Sequence, residues 1–512
     1  MHNARPWLGP ALASFDFRQH NRGMPQRILF AAAECVPLVK TGGLADVAGA
    51  LPGALRELGL DVRVLLPGYP QVIEALPGAK PAARIDALGE LPAADIVQAE
   101  LHGGVPVYAI GCPPLYDRPG GPYQDPAGRD WADNALRFAQ LGRAAAWLAV
   151  RGVDSGWRAD ALHLNDWHAA LGAAYVRFSE RPRAPVVFTV HNLAFQGLFD
   201  AHWHARLALP ASSWSIDGVE FHGKLSFMKA GLQYADAITT VSPTYAREIQ
   251  SAPLGMGLEG LLAARRDVLH GILNGIDTVR WDPRRDPLIA ANYDADSLDA
   301  KAANKRALQS RFGLEADGAV PLAAMVSRLT EQKGADLVAD CAEALIGSPA
   351  QLVVIGSGER AIELRFEALA ARHRGRIGVL VGFDEALAHL AEAGADMLLM
   401  PSRFEPCGLN QMYSQRYGTV PIVGATGGLV DSVVDCTEAA LADGTASGFH
   451  FRPMDADGLC AAFERAVAVY RDADRWRRLQ RNGMARDFGW SRSAAEYARL
   501  YAQIARGESA GH

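Results

Sequence analysis

The chain has 512 residues, 49% of them hydrophobic, enough for two large domains, or three by a loose length rule, each with a full core. Lys and Arg number 51 against 57 Asp and Glu, a net charge of −6 without a long basic tract, so neither nucleic acid nor an anionic membrane is expected as a general partner. No apolar stretch reaches about 18 residues free of charges and breakers, so no spanning helix is expected. The six cysteines (Cys35, Cys112, Cys341, Cys407, Cys436, Cys460) form no C-x-x-C pair, which argues against a disulfide framework and a structural zinc site and for a reduced, cytoplasmic protein.

Residues 1–26 read as a poorly ordered extension with no assigned function. The apolar run Ile28–Ala33 then has strand length, and Lys40-Thr41-Gly42-Gly43-Leu44 leads into a helix expected over Ala45–Leu58, with Gly59 placed for a left-handed cap. Further strands are expected at Val62–Leu66, Val105–Ile110, Ala161–Leu164, Val186–Val190 and Ala237–Val241. A polar segment, 274–305, follows. A second series opens at Leu322–Val326 and continues through Leu352–Ile355, Ile377–Val381, Met397–Met400 and Pro421–Val423. Short apolar runs alternating with helical patterns imply parallel sheets covered by helices on both faces. Two doubly wound, Rossmann-like α/β domains are therefore expected, over 27–275 and 276–488, with ligands outside the carboxyl ends of the strands and in the cleft between lobes.

The polar motifs fall at those strand ends. Glycines between a strand and a helix bring backbone N–H groups and the positive helix end to an anion, and Lys40 adds a full charge. After Leu322–Val326 come Arg328 and Lys333, five positions apart, which can converge on a diphosphate as a fork and a point charge; a pair of surface ion-pairing residues is the plainer reading. After Met397–Met400, Glu405 precedes Gly408, Leu409 and Asn410, so a carboxylate can sit beside a sugar while helix-start amides face a phosphate; Glu405 as a mere helix cap is the alternative. Gly356-Ser357-Gly358-Glu359-Arg360-Ala361 with Asp384 fits the dinucleotide fingerprint and keeps a nicotinamide enzyme in view. His163, Asp166, His168 and His191 could bind zinc, yet polar strand ends serve equally well for sugar hydroxyls. Cys407 is a conceivable nucleophile, although a lone thiol is more often packing. The three Asp-Ala-Asp runs at 294, 455 and 472 read as loops or helix ends, and no metal site is expected.

Taken together, Lys40–Asp46, His191–Gly197, Val241–Tyr245, Asn274–Asp277, Ser327–Gly334, Pro401–Leu409 and Thr426–Leu429 resemble the bacterial glycogen synthases and plant starch synthases, retaining glucosyltransferases of the two-lobed GT-B type, over about residues 27–505. The resemblance implies an ADP-glucose donor, addition of glucose through an α-1,4 bond to the non-reducing end of a glucan, and no cofactor or metal. It implies that Arg328 and Lys333 neutralise the diphosphate, that His191 and Asn274 border the glucose, and that Glu405 lies close to the reacting sugar. Donor contacts are expected from Lys40, Gly42, Gly43, Asp46, Asp166, Asn192, Gly356, Gly408, Leu409, Asn410, Gly427 and Gly428, and from Phe383 stacked on the adenine. The segment 489–512 is expected to hold a helix that crosses back to the first lobe. Two departures stand out: Asn410 where the family often has Thr, and Leu162-His163-Leu164-Asn165-Asp166 in place of the more frequent His-x-His-Asp-Trp pattern.

The reaction expected is attack by the acceptor hydroxyl from the face the leaving group departs, a phosphate oxygen taking its proton; double displacement through Glu405 is the rival. A lobed enzyme should also close over its donor about a hinge at 274–283. Other readings are a pyridoxal-phosphate glucan phosphorylase, a nicotinamide dehydrogenase and a catalytically silent glucan-binding protein. Donor base preference, acceptor length and oligomeric state are not legible in the residues.

Overall fold

The apolar runs assemble into two sheets. A computed structural model describes residues 26–101 and 103–506, so apart from Gln26 the expectation for residues 1–26 lies outside the described residues. The first sheet contains β1 (Arg27–Ala31), β2 (Asp61–Pro67), β3 (Lys80–Ile85), β4 (Ala94–Glu100), β5 (Pro106–Gly111), β6 (Ala161–Asn165), β7 (Val186–Val190), β11 (Ala237–Thr240) and β12 (Leu269–Gly271). Its order is β12-β11-β7-β6-β1-β2-β5-β4-β3. The central strands are parallel and buried on both faces, as their unbroken apolar sequences require. At one edge β3 and β4 run antiparallel. That pair escaped the sequence reading because a half-exposed edge strand alternates, and Pro, Ala and Gly blur the alternation over 75–95.

After β7 the chain makes a three-stranded flap of β8 (Leu198–Asp200), β9 (Glu220–Phe221) and β10 (Lys224–Ser226), in the order β8-β10-β9. The second sheet is wholly parallel: β13 (Leu322–Val326), β14 (Gln351–Gly356), β15 (Ile377–Val381), β16 (Met397–Met400), β17 (Val420–Gly424) and β18 (Phe449–Phe451), ordered β15-β14-β13-β16-β17-β18. In each sheet the first strand of the series is where winding reverses: β1 lies between β2 and β6, and β13 between β14 and β16. Diverging connections leave a crevice beyond such strand ends.

Five helices matter to the site: α1 (Gly43–Glu57), α2 (Asp166–Arg177), α3 (Pro243–Glu248), α4 (Asn410–Arg416) and α5 (Trp490–Ala505). Gly59, just past α1, has φ +91 and forms the expected left-handed stop. The chain passes between the sheets twice, side by side: Ile276 N–H donates to the Phe488 carbonyl at 2.8 Å, and a Cβ on Gly275 would meet the Trp490 backbone at 2.9 Å. Helix α5 then packs on α1 and buries Tyr497 and Tyr501 against the first core. Tyr501 Oη is 2.7 Å from His163 Nδ1, while His163 Nε2 is 2.6 Å from Thr189 Oγ1.

The cysteine expectation needs correction. Cys341 and Cys460, on the neighbouring helices Ala335–Gly347 and Ala456–Tyr470, are joined by a disulfide across 119 residues of sequence. Spacing along the chain carries no record of which helices pack together. The Asp-Ala-Asp runs do sit at turns and helix ends: Asp455 and Asp472 accept from the Gly458 and Arg475 amides as N-caps, and Asp294 accepts from Ser297 N–H.

Candidate active site

Beyond β1 the chain enters the first reversal point through Glu34. Its buried carboxylate accepts hydrogen bonds from Thr41 N–H and, at 2.9 Å, from Gly42 N–H, while its other oxygen accepts from the Tyr123 hydroxyl. The glycine loop was expected to turn its amides to a donor phosphate; two of them are turned to an internal carboxylate instead. Gly43 opens α1, and Lys40 Nζ lies 2.8 Å from Asp46 Oδ1 on the exposed side of the loop.

At the end of β6, Asp166 adopts φ +59, a left-handed conformation that costs a residue with a side chain about 1–3 kcal/mol and survives where the surroundings enforce it. Its Oδ1 accepts from Trp167 N–H at 2.8 Å. Burial pushes the Asp166 carboxyl up to about 7 against that hydrogen bond, with a further push from Glu34. One strand over, His191 Nε2 lies 3.0 Å from Asn165 Oδ1, and Asn165 Nδ2 donates to the Ala31 carbonyl at 3.1 Å. Because that carbonyl takes the amide N–H, the oxygen must face His191, which is therefore protonated on Nε2. Burial pushes His191 down to about 3, so it is a neutral imidazole at working pH. Asn192 folds its own loop, Oδ1 accepting from Ala194 N–H at 3.0 Å.

The second lobe supplies charge. Lys333 Nζ lies 2.5 Å from Glu405 Oε2, and Ser402 Oγ donates to the same oxygen at 3.0 Å. These residues follow β13 and β16, the strands that flank the reversal. Arg328 is exposed and, among the described residues, makes no ion pair. Phe383 projects its ring with 81% of the residue exposed. Gly408, with φ +71, and Leu409 lead into α4, and Asn410 Nδ2 donates to the Val326 carbonyl at 2.6 Å, tying α4 to the end of β13. Gly427 and Gly428 are packing positions. A Cβ on Gly427 would lie 1.9 Å from the Glu405 carbonyl oxygen, one on Gly428 would lie 2.3 Å from that of Cys407, and Gly427 N–H donates to the Glu248 carboxylate.

The dinucleotide glycines also serve the chain's own packing. A Cβ on Gly356 would fall 1.8 Å from the Ser327 carbonyl oxygen and one on Gly358 2.4 Å from that of Leu329, so their bareness lets the Ser327–Leu329 segment pass. Asp384, the fingerprint's acidic position, is an N-cap accepting from Leu387 N–H at 3.0 Å. His163, held by Tyr501 and Thr189, lies within the core, and no group of three or more His, Cys, Asp or Glu is arranged for a metal ion among the described residues. Burial pushes the Cys407 thiol up to about 12, which leaves no thiolate for nucleophilic work at neutral pH.

The two halves meet around the Glu405 loop. Ser242 Oγ donates to the Pro406 carbonyl at 2.6 Å, Thr244 at the start of α3 bonds Asp431 through N–H and Oγ1, and Asn274 is buried with its Oδ1 unpaired. Tyr245 of α3 has its hydroxyl pKa raised by burial first, and then by the negative charges of Asp166, Glu248 and Glu405. Tyr413 on α4 has its hydroxyl pKa raised by burial and next by the negative charge of Asp46 at the start of α1. Glu34, Tyr123, Asn165, Ser402 and Glu248 were missed as site residues. Asn165 and Ser402 stood beside recognised motif residues; Glu34, Tyr123 and Glu248 carried no signal, since their partners are remote in sequence.

Two Rossmann-like domains with charged groups gathered beyond the strand ends at both reversal points form the architecture of the GT-B glycosyltransferases, and the comparisons place the chain in that class. Residues 27–264 match the family model described as the starch synthase catalytic domain, and 308–483 match glycosyl transferases group 1. The chain is 51% identical over 481 residues to a glycogen synthase of Nitrosospira multiformis, covering 93% of this chain and 97% of that protein. It is 54% identical over 475 residues to a glycogen synthase of Aromatoleum aromaticum, covering 93% and 96%. Among solved structures it resembles the catalytic domain of starch synthase IV from Arabidopsis thaliana bound to ADP and acarbose, with a TM-score of 0.82, 32% identity, and coverage of 94% of this chain and 100% of that one. The chain belongs to the glycogen and starch synthase family.

Proposed function

We propose that this enzyme transfers glucose from ADP-glucose to the non-reducing end of an α-1,4-glucan with retention of configuration. The observation that carries the reading is the Lys333–Glu405 pair, in which two strand ends at one reversal point bring a cation and a carboxylate to 2.5 Å. Breaking the bond between the anomeric carbon and phosphate puts negative charge on the departing nucleotide and positive character on the sugar. Lys333 and the unpaired Arg328 stabilise the first, and Glu405 the second. Lys333 and Ser402 both hold Oε2 of Glu405, which lowers the carboxylate's nucleophilicity and favours a stabilising role with same-face attack over double displacement. His191 and Asn274 border the glucose, Lys40 meets the donor, Phe383 offers its ring to the adenine, and the amides of Gly408, Leu409 and Asn410 face phosphate.

The lobes are assigned as 27–275 and 276–488, and the enzyme works in the cytoplasm with no cofactor beyond its donor and no metal. The test is ADP release from ADP-glucose in the presence of glycogen, run in parallel with UDP-glucose. Release and glucan growth from ADP-glucose are expected; growth from UDP-glucose alone, or donor hydrolysis without growth, overturns the reading.

A further inference from the structure

Glu34 is an unusual residue to find in a core. It is 3% exposed, its carboxylate lies at the end of an apolar strand, and no cation pairs with it among the described residues. A buried carboxylate without a counter-ion is costly unless donors surround it. Three do: the amides of Thr41 and Gly42 on one oxygen, the Tyr123 hydroxyl on the other. Tyr123 reaches further. Its ring stacks on His168 with centroids 4.7 Å apart and 23° between planes, and His168 in turn lies 4.1 Å from the Trp167 ring in the turn that holds Asp166 at φ +59.

Tyr123 is itself held from below. Asn134 Nδ2 donates to its carbonyl at 2.9 Å, and the fully buried Arg137 donates to the Pro122 carbonyl at 2.8 Å. The glycine loop and the Asp166 turn lie beyond adjacent strands, β1 and β6; Asn165 on the Ala31 carbonyl joins the strand ends, and Glu34 with Tyr123 joins the loop and the turn beyond them. We propose that Glu34 is a positioning residue for glucosyl transfer, tying the Lys40–Gly43 loop to the Asp166–His168 turn through Tyr123 so that both present their groups to the cleft in register.

This rests on the cleft being the transfer site. The groups facing Asp166 are Glu34 beyond β1, Tyr123 in the loop before the helix Asn134–Arg151, Tyr245 on α3 and the Trp167 amide on its own helix; His168 and His191 nearby are neutral, each pushed down to about 3 by burial. Removing the negative charge at Glu34 therefore eases ionisation of Asp166, and Tyr123→Phe, which keeps that charge, is the control for loosened packing.

The variants are Glu34→Gln, which removes the charge and keeps the shape, and Tyr123→Phe, which removes the link and keeps the charge. Both should lower kcat/KM for ADP-glucose by about tenfold or more, the scale of a sub-ångström to 1 Å misplacement. In Glu34→Gln the limb of the pH profile set by Asp166 should also move to lower pH, while in Tyr123→Phe it stays. Amide hydrogen exchange at Thr41 and Gly42 should quicken in Glu34→Gln whether or not transfer is observed, so an inactive wild type would sink the transfer reading and still leave this one measurable. Wild-type kinetics and slow exchange in Glu34→Gln overturn the proposal, and so does lost activity with an unmoved pH limb and unaltered exchange.

Discussion

Lys333 illustrates how little a motif says about cost. Two cations after a strand suggested a diphosphate grip, and in the fold Lys333 is also paired with Glu405, a partner the spacing did not announce. Replacing Lys333 with Ala should lower kcat by about 100-fold, as loss of other preorganised charge stabilisers does, and steady-state ADP release measures it. A fall of less than about threefold would remove Lys333 from the chemistry. Asp166 makes a separate prediction, on stability. Its folded pKa of about 7 stands above the ordinary carboxyl value of 3.8, so the folded state holds a proton that the unfolded state gives up. The stability this contributes is complete below about pH 4 and fades as pH rises through 7. Asp166→Asn does not titrate, so wild type should lose about 3 kcal/mol relative to that variant between pH 5 and pH 8, read by urea unfolding at both. A constant difference would show that Asp166 ionises normally in the fold.

Among the elements, the linker after Asp277 is the one whose reading the structure narrows most. The pivot was expected over 274–283, yet from Thr278 onward the chain is docked on the second lobe. Trp281 is sandwiched between His389 at 3.8 Å and Tyr413 at 3.9 Å with planes within 12° of parallel, and Arg416 donates to the carbonyls of Trp281 and Thr278. The expected pivot is thereby narrowed to Asn274–Asp277 and the Phe488–Gly489 segment bridged to Ile276. Trp281→Ala should cost about 3 kcal/mol in the denaturant midpoint of the second lobe, from loss of a large packed ring. A cost below about 1 kcal/mol would mean that the Arg416 hydrogen bonds alone hold the linker. The strands themselves were legible within a residue or two, since a buried parallel strand is an unbroken apolar run; the antiparallel edge β3–β4, the three-stranded flap and short β12 and β18 were not, because each is short or half-exposed and takes its strand character from its neighbour.

For the molecule as a whole, the proposed donor groups come from both lobes and the two chain passes lie side by side, an arrangement suited to rotation of one lobe on the other. Addition of ADP should contract the particle, lowering the radius of gyration in small-angle scattering; superimposable profiles with and without ADP would show a cleft that is already closed. The family carriers, Lys40–Asp46 through Thr426–Leu429, were readable because glycines and charges at strand ends obey local rules of turn geometry and anion binding. Apolar periodicity likewise dictated two wound sheets without knowledge of any contact. What it could not dictate was which partner each polar group finds. Glu34 facing the glycine amides, Asn165 fixing the tautomer of His191, Glu248 gripping Gly427 and the Cys341–Cys460 bond all join residues tens to hundreds of positions apart, and such pairings exist only once packing has brought the strand ends together.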